Sequence, residues 1–193
     1  MTGTGNTRLT RAAGALFAIA LCVTLFAPPA QAQLETASEI NAAAEAALQT
    51  LYTETPAARG IAGESQAILV FPEVTKAGLI VGGQFGNGVL LRNDQPSGHY
   101  NIAAASIGYQ AGVQTFSYVM MFIEEDALNY LDSADGWEVG IGPSVVAVDQ
   151  GLAGSLTTAT LKDAVYSFTF GQEGLMAGAG LQGSKITPIE PAP

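Results

Sequence analysis

Cysteine, histidine and cations are what this 193-residue chain has least of. It has one cysteine, Cys22, and one histidine, His99, with seven Lys and Arg against 17 Asp and Glu. A lone cysteine excludes an internal disulfide framework and a cysteine metal site. A lone histidine excludes a His-rich zinc centre, and carboxylates alone favour harder ions such as Ca²⁺. The densest acidic groups are Glu124-Glu125-Asp126 and Asp132, Asp135 and Glu138. Their spacing does not match an EF-hand loop, so neither a metal nor another cofactor is expected. Asp135-Gly136 reads as a turn, and the first cluster as favourable charge at a helix N-terminus. The scarcity of Lys and Arg excludes nucleic acid, which needs a basic stripe. An anionic membrane surface would repel the chain too.

What is present begins with a leader. Arg8 and Arg11 precede an uncharged apolar run, Ala12 to Ala27, which Pro28 and Pro29 end. Ala30-Gln31-Ala32 then fits a cleavage site, so residues 1–32 read as a signal peptide. The run is short for a membrane span, which needs about 20 residues. Cys22 follows Leu21 inside the run, which does not suit an acylated lipoprotein cysteine. The expected location is therefore periplasmic or secreted. Losing Arg8 and Arg11 leaves five cations against 17 carboxylates, a net charge of −12. The remaining chain, about 160 residues, is one domain by length.

Residues 33–66 read as helical. Thr36-Ala37-Ser38-Glu39 matches a capping box, and Ile40, Ala44, Ala47, Leu48 and Leu51 follow as one apolar stripe. Thr55-Pro56 marks a second, shorter helix. From Ala67 the pattern turns to strands, broken by a short helix near 124–131. Gly86-Asn87-Gly88 predicts a hairpin turn, and Asn93 to Gly98 a polar loop. Val165 to Phe170 alternates, with Tyr166, Phe168 and Phe170 on one face. Gly171 to Gly174 then reads as a turn, Gly151 to Thr158 as a loop, and 187–193 as a disordered tail. Glycines recur among strand residues, where they let a sheet bend sharply. The fold class is α+β, with N-terminal helices packed on a glycine-rich, strongly coiled, barrel-like antiparallel sheet of about 6–8 strands. Residues 33–186 form the single domain.

The run Ala67-Ile68-Leu69-Val70-Phe71-Pro72-Glu73-Val74-Thr75-Lys76-Ala77-Gly78-Leu79-Ile80-Val81-Gly82-Gly83 resembles the signature of the SYLF domain family. Gly86 to Leu90, Ser106 to Gln114 and Tyr166 to Leu175 are similar to later segments of that family. The resemblance spans about Ile40 to Lys185. It implies a lipid-binding module, with phosphoinositide-binding and actin-binding relatives. In those relatives a basic patch and an amphipathic N-terminal helix serve the membrane. Here that helix carries Glu35, Glu39 and Glu45 and no cation, so its stripe is expected to pack on the sheet. Actin is not an expected partner for an exported chain.

Three catalytic patterns fail on context. Gly178-Ala179-Gly180-Leu181-Gln182-Gly183 fits G-x-G-x-x-G but lacks a following helix. Ala104 to Gly108 approaches a hydrolase elbow, yet the sole histidine precedes Ser106. The acidic groups offer no recognisable acid–base pair. No enzyme is expected. Candidate lipid head-group residues are Lys76, Arg92, Lys162 and Lys185, with Lys76 the strongest because it lies in the family-like run. Phe116, Tyr118, Met120 and Phe122 share a strand face as candidate acyl-chain contacts, or as core. The expectation is an exported, non-enzymatic protein that binds phospholipid or another membrane lipid. The alternative is a structural or interaction module that docks an envelope protein. A cavity with a cation at its rim favours the first, and a flat exposed apolar patch the second.

Overall fold

A computed structural model describes residues 35–133, 136–139, 143–149 and 161–192. The predicted signal peptide, Asp135 and the 151–158 loop lie outside the described residues. Residues Glu35–Pro193 form one compact unit that holds every element below. These are helices α1 (Ala37–Glu54), α2 (Ala58–Glu64) and α3 (Glu125–Leu131). The strands are β1 (Ala67–Arg92), β2 (Gln95–Phe122), β3 (Trp137–Val139), β4 (Val145–Ala147) and β5 (Val165–Ile189).

The capping box forms as the sequence predicts. Glu39 N–H donates to the Thr36 hydroxyl, and Thr36 N–H donates to the Glu39 carboxylate at 2.8 Å. Ile40, Ala44, Ala47, Leu48 and Leu51 are buried, against Val70, Val89, Val119 and Phe168 of the sheet. A large apolar side chain so buried contributes about 1.5–3 kcal/mol, which fixes α1 where propensity alone would not.

The sheet is strongly curled. Its order is β1-β2-β5-β3, with β4 also on β5. All pairings are antiparallel except β4 with β5, so the sheet is mixed. Three strands of 25 to 28 residues supply most of it. Their length is why two predicted turns are absent. Gly86-Asn87-Gly88 lies inside β1, paired with Ile102, Asn101 and Tyr100. The chain reverses instead at Asn93-Asp94, with φ 51° and 60°. Two consecutive positive φ values suit a two-residue hairpin turn, and Asn and Asp tolerate them. The polar segment after it, Gln95 to Gly98, is therefore strand. Likewise β5 runs on through Gly171 (φ 61°) and Gly174 (φ 88°), and the ladder with β2 is irregular between Thr115 and Ser117. Positive φ here makes a bulge rather than a reversal.

Glycine inside β1 serves close approach. A Cβ on Gly86 would lie 2.6 Å from the Glu73 carbonyl, and one on Gly88 would meet the Val70 carbonyl and the Phe71 ring. The two halves of β1 therefore fold onto each other, and the bend lies midway, at Ile80. Inside the fold Leu69, Phe71, Leu90, Ile102, Met120 and Trp137 pack as a second core. The α1 and α2 side of the sheet carries the first. The predicted disordered tail is ordered to residue 192: β5 includes Thr187 to Ile189, and Ala192 bridges Thr36.

Candidate functional site: a cavity in the concave face

Alternation along β2 sends Gln114, Phe116 and Tyr118 to the inside of the curl, continuing the row of Met120 and Phe122. The inner core fills only part of that space. A cavity of about 400 Å³ remains, at the small end for ligand pockets. Lys76 and Gln84 line it from β1, and Ile102, Gln114, Phe116 and Tyr118 from β2. Thr169, Gln172 and Ser184 complete it from β5. Register explains the convergence. Lys76 pairs with Gln114, and Val74 with Phe116, while the fold of β1 brings Gln84 round from its other half.

The walls are held firmly. Tyr118 stacks on its cross-strand neighbour Phe71, ring centroids 6.4 Å apart at 22°. Burial pushes the Tyr118 hydroxyl above its ordinary pKa, opposed by a hydrogen bond with Ser167. Ser117 donates to the Pro72 carbonyl at 2.8 Å, tying the two strands at the irregular step. Lys76 is half-buried and makes no ion pair among the described residues. A half-buried ammonium among amide, hydroxyl and aromatic groups suits a phosphate ester with a short apolar neighbour.

Of the predicted site residues, the structure brings Lys76, Phe116 and Tyr118 to one cavity. The others lie elsewhere. Met120 and Phe122 are fully buried in the inner core, with Phe122 edge-on to Trp137 at 5.6 Å. Arg92 donates to Asp132 at 2.9 Å, and Tyr100 donates to the other oxygen of that carboxylate at 2.6 Å. Burial first, and then this bond, raise the Tyr100 pKa. Arg92 thus pins the β1–β2 hairpin to the end of α3. Lys162 is exposed, and its backbone N–H donates to the Tyr166 hydroxyl. Lys185 is exposed on β5, opposite Glu138 of β3. The fifth cation beyond residue 32, Arg59, lies over the Tyr52 ring at 4.7 Å. Gln84, Gln114 and Gln172 carry no site signal in the sequence, because isolated glutamines have no diagnostic spacing; only the curl assembles them.

A second groove, about 590 Å³, separates α1 from the β1–β2 hairpin. Among the described residues that line it are Glu45 and Asp94 and no cation, which disfavours an anionic ligand. Catalytic patterns stay apart. His99 hydrogen-bonds Asn41 at 3.0 Å, and it stands roughly 20 Å along β2 from buried Ser106 by strand rise. The G-x-G-x-x-G stretch lies wholly within β5. Among the described residues no three His, Cys, Asp or Glu side chains group as metal ligands.

Comparison with known proteins adds one finding. Residues 103–192 match the family model Ysc84, described as "Las17-binding protein actin regulator". The match starts in β2 and runs through β5, after the signature-like run Ala67 to Gly83. No curated protein matches the chain. The curled sheet and this match, which covers 103–192, together support the resemblance to the SYLF domain family.

Proposed function

We propose that this chain is an exported, non-enzymatic lipid-associating protein of the cell envelope, and that its concave cavity receives a phospholipid head group. The observation carrying this reading is the convergence of Lys76, Phe116 and Tyr118 on one cavity of about 400 Å³. The ammonium pairs with the phosphate, and the glutamines and hydroxyls supply hydrogen bonds to the ester and glycerol oxygens. Phe116 and Tyr118 cover the first carbons of an acyl chain. The volume suits a head group and not a whole diacyl lipid, so the remaining chains stay in the membrane. With a net charge of −12 beyond residue 32, the protein gains nothing from extra anionic lipid. Zwitterionic phospholipid, which carries the phosphate without net charge, suits it better. The family reading supports a binding domain rather than an enzyme.

The second reading, an interaction module that docks an envelope protein, is favoured by exposed apolar side chains such as Leu79 and Leu175. Co-sedimentation of residues 33–193 with neutral and anionic vesicles, at low and moderate salt, separates the two. The lipid reading expects binding that Lys76→Glu weakens severalfold with an unchanged circular dichroism spectrum. Absence of binding to every vesicle would remove it in favour of the interaction module.

A further inference from the structure

The bend of the sheet is apolar and faces outward. Leu79, Ile80, Val81 and Phe85 on β1 are among the exposed large hydrophobic residues. Ile107 and Val113 on β2 and Leu175 on β5 join them. All are between 55% and 88% exposed. Register groups them: Val81 pairs with Ile107, and Val113 with Leu175. Together they present roughly several hundred Å² of apolar surface, the scale that marks an interaction site on a folded protein. Ile80, at the apex, has φ 145°, a conformation a β-branched residue rarely adopts.

Charge identifies the partner. No ionisable side chain with a charge at neutral pH occurs between Ala77 and Leu91, between Tyr100 and Phe122, or between Gly174 and Ser184. These three stretches are the ones the bend brings together. Glu73, Lys76, Glu173 and Lys185 stand just outside it. A second copy of the chain would bring its own strong negative charge to the contact, and an anionic surface would repel it. A neutral bilayer does neither, and its interior demands a charge-free surface.

We infer that the bend around Leu79, Ile80, Val81 and Leu175 is a membrane-inserting tip that enters zwitterionic bilayers shallowly. This inference rests on the lipid reading and adds to it how the cavity meets the membrane. Lys76 precedes Leu79 by three residues, roughly 10 Å along the strand. Interfacial apolar groups enter a bilayer by about 5–10 Å. A tip at that depth holds the half-buried Lys76 at the level of the phosphates. Depth is limited by β1, the edge of the sheet, which has no partner strand on its outer side among the described residues. Unpaired backbone groups on that edge hold β1 at the interface, so only its apolar side chains reach the hydrocarbon. Among the described residues no helix is long and apolar enough to cross a membrane.

The chain has no cysteine beyond Cys22, so a single cysteine can report on any site of residues 33–193. That unit contains both cores and is tested alone. Leu79→Cys carrying an environment-sensitive fluorophore is titrated with phosphatidylcholine vesicles, beside Lys162→Cys as a solvent-facing control. The expected result is a blue shift at 79 and none at 162. In the unlabelled chain, Leu79→Asp with Leu175→Asp should weaken vesicle partition by at least about tenfold, since each leucine loses its burial. Both residues are exposed, so the circular dichroism spectrum should not change. Vesicle binding that persists in the double variant, with no shift at 79, overturns the tip and leaves the lipid reading standing. No vesicle binding by the unaltered chain overturns both. A concentration-dependent dimer that the double variant abolishes, with no fluorophore shift on vesicles, makes the bend a contact between copies and also overturns the tip.

Discussion

Replacing Gly88 by alanine tests the fold of β1 onto itself, on which the cavity depends. An added methyl would meet the Val70 carbonyl and lie 2.6 Å from the Phe71 ring. Val70 and Phe71 are fully buried, and Phe71 is stacked on Tyr118, so neither can yield cheaply. Overpacking of this kind costs about 1–3 kcal/mol, often toward the upper end where backbone must move. Loss of glycine's unfolded-state freedom returns about 0.5–1 kcal/mol. The net expectation is a destabilisation of about 2 kcal/mol, or a Tm lower by about 4–8 °C for a domain of this size. Gly83, on the same strand, is the control. A Cβ there would find only the Ala104 carbonyl at 3.5 Å, an ordinary contact. Gly83→Ala should be neutral or stabilising by up to about 1 kcal/mol. Urea denaturation of both variants gives the comparison directly. If Gly88→Ala proves as stable as Gly83→Ala, the two halves of β1 do not approach as described, and the cavity argument loses its geometry.

Other consequences follow from the same contacts. Met120→Ala should cost about 2–5 kcal/mol in denaturation, because Met120 is core and not a lipid contact. Phe116→Ala, which enlarges an existing cavity, should cost less. Tyr100→Phe should cost about 1–2 kcal/mol, since it removes a hydrogen bond to a carboxylate that also holds Arg92. Tyr52, Tyr100 and Tyr118 all have raised pKa values, with burial the first cause of each. A raised folded-state pKa contributes stability that is complete below the ordinary tyrosine value of 10.0 and falls as pH climbs through the folded value. Unfolding free energy should therefore decline above about pH 10, and ultraviolet titration should show these tyrosines ionising late. Stability rising across that range would contradict the burial.

Helices were legible because their signals are local. Thr36 and Glu39 lie three residues apart, and the stripe from Ile40 to Leu51 keeps one period. Strand lengths were not legible. Asn87 and Gly88 look like a turn, but Asn87 bonds Asn101 and Glu35 across the fold while Gly88 makes room for Phe71. Both roles depend on residues distant in sequence. The true turn, Asn93-Asp94, lacks glycine and so gave a weaker signal. Lys76 was legible through its place in the family-like run. Phe116 and Tyr118 were legible as a face, but alternation cannot say where along that face the core ends and the cavity begins. The scattered cations illustrate the same limit. Arg92 is a candidate by its charge and its place beside a glycine-rich strand, and only the approach of α3 reveals its pairing with Asp132.

Chemical-shift mapping of residues 33–193 with a soluble short-chain phosphatidylcholine, below its micelle concentration, tests the central claim most directly. A head group held in the concave cavity should perturb the amides of Lys76, Gln114, Phe116 and Gln172 together, saturably, and Lys76→Glu should suppress the change. Perturbation confined to the acidic groove at Asn41, Tyr52 and Pro96, or none at saturating lipid, would contradict it.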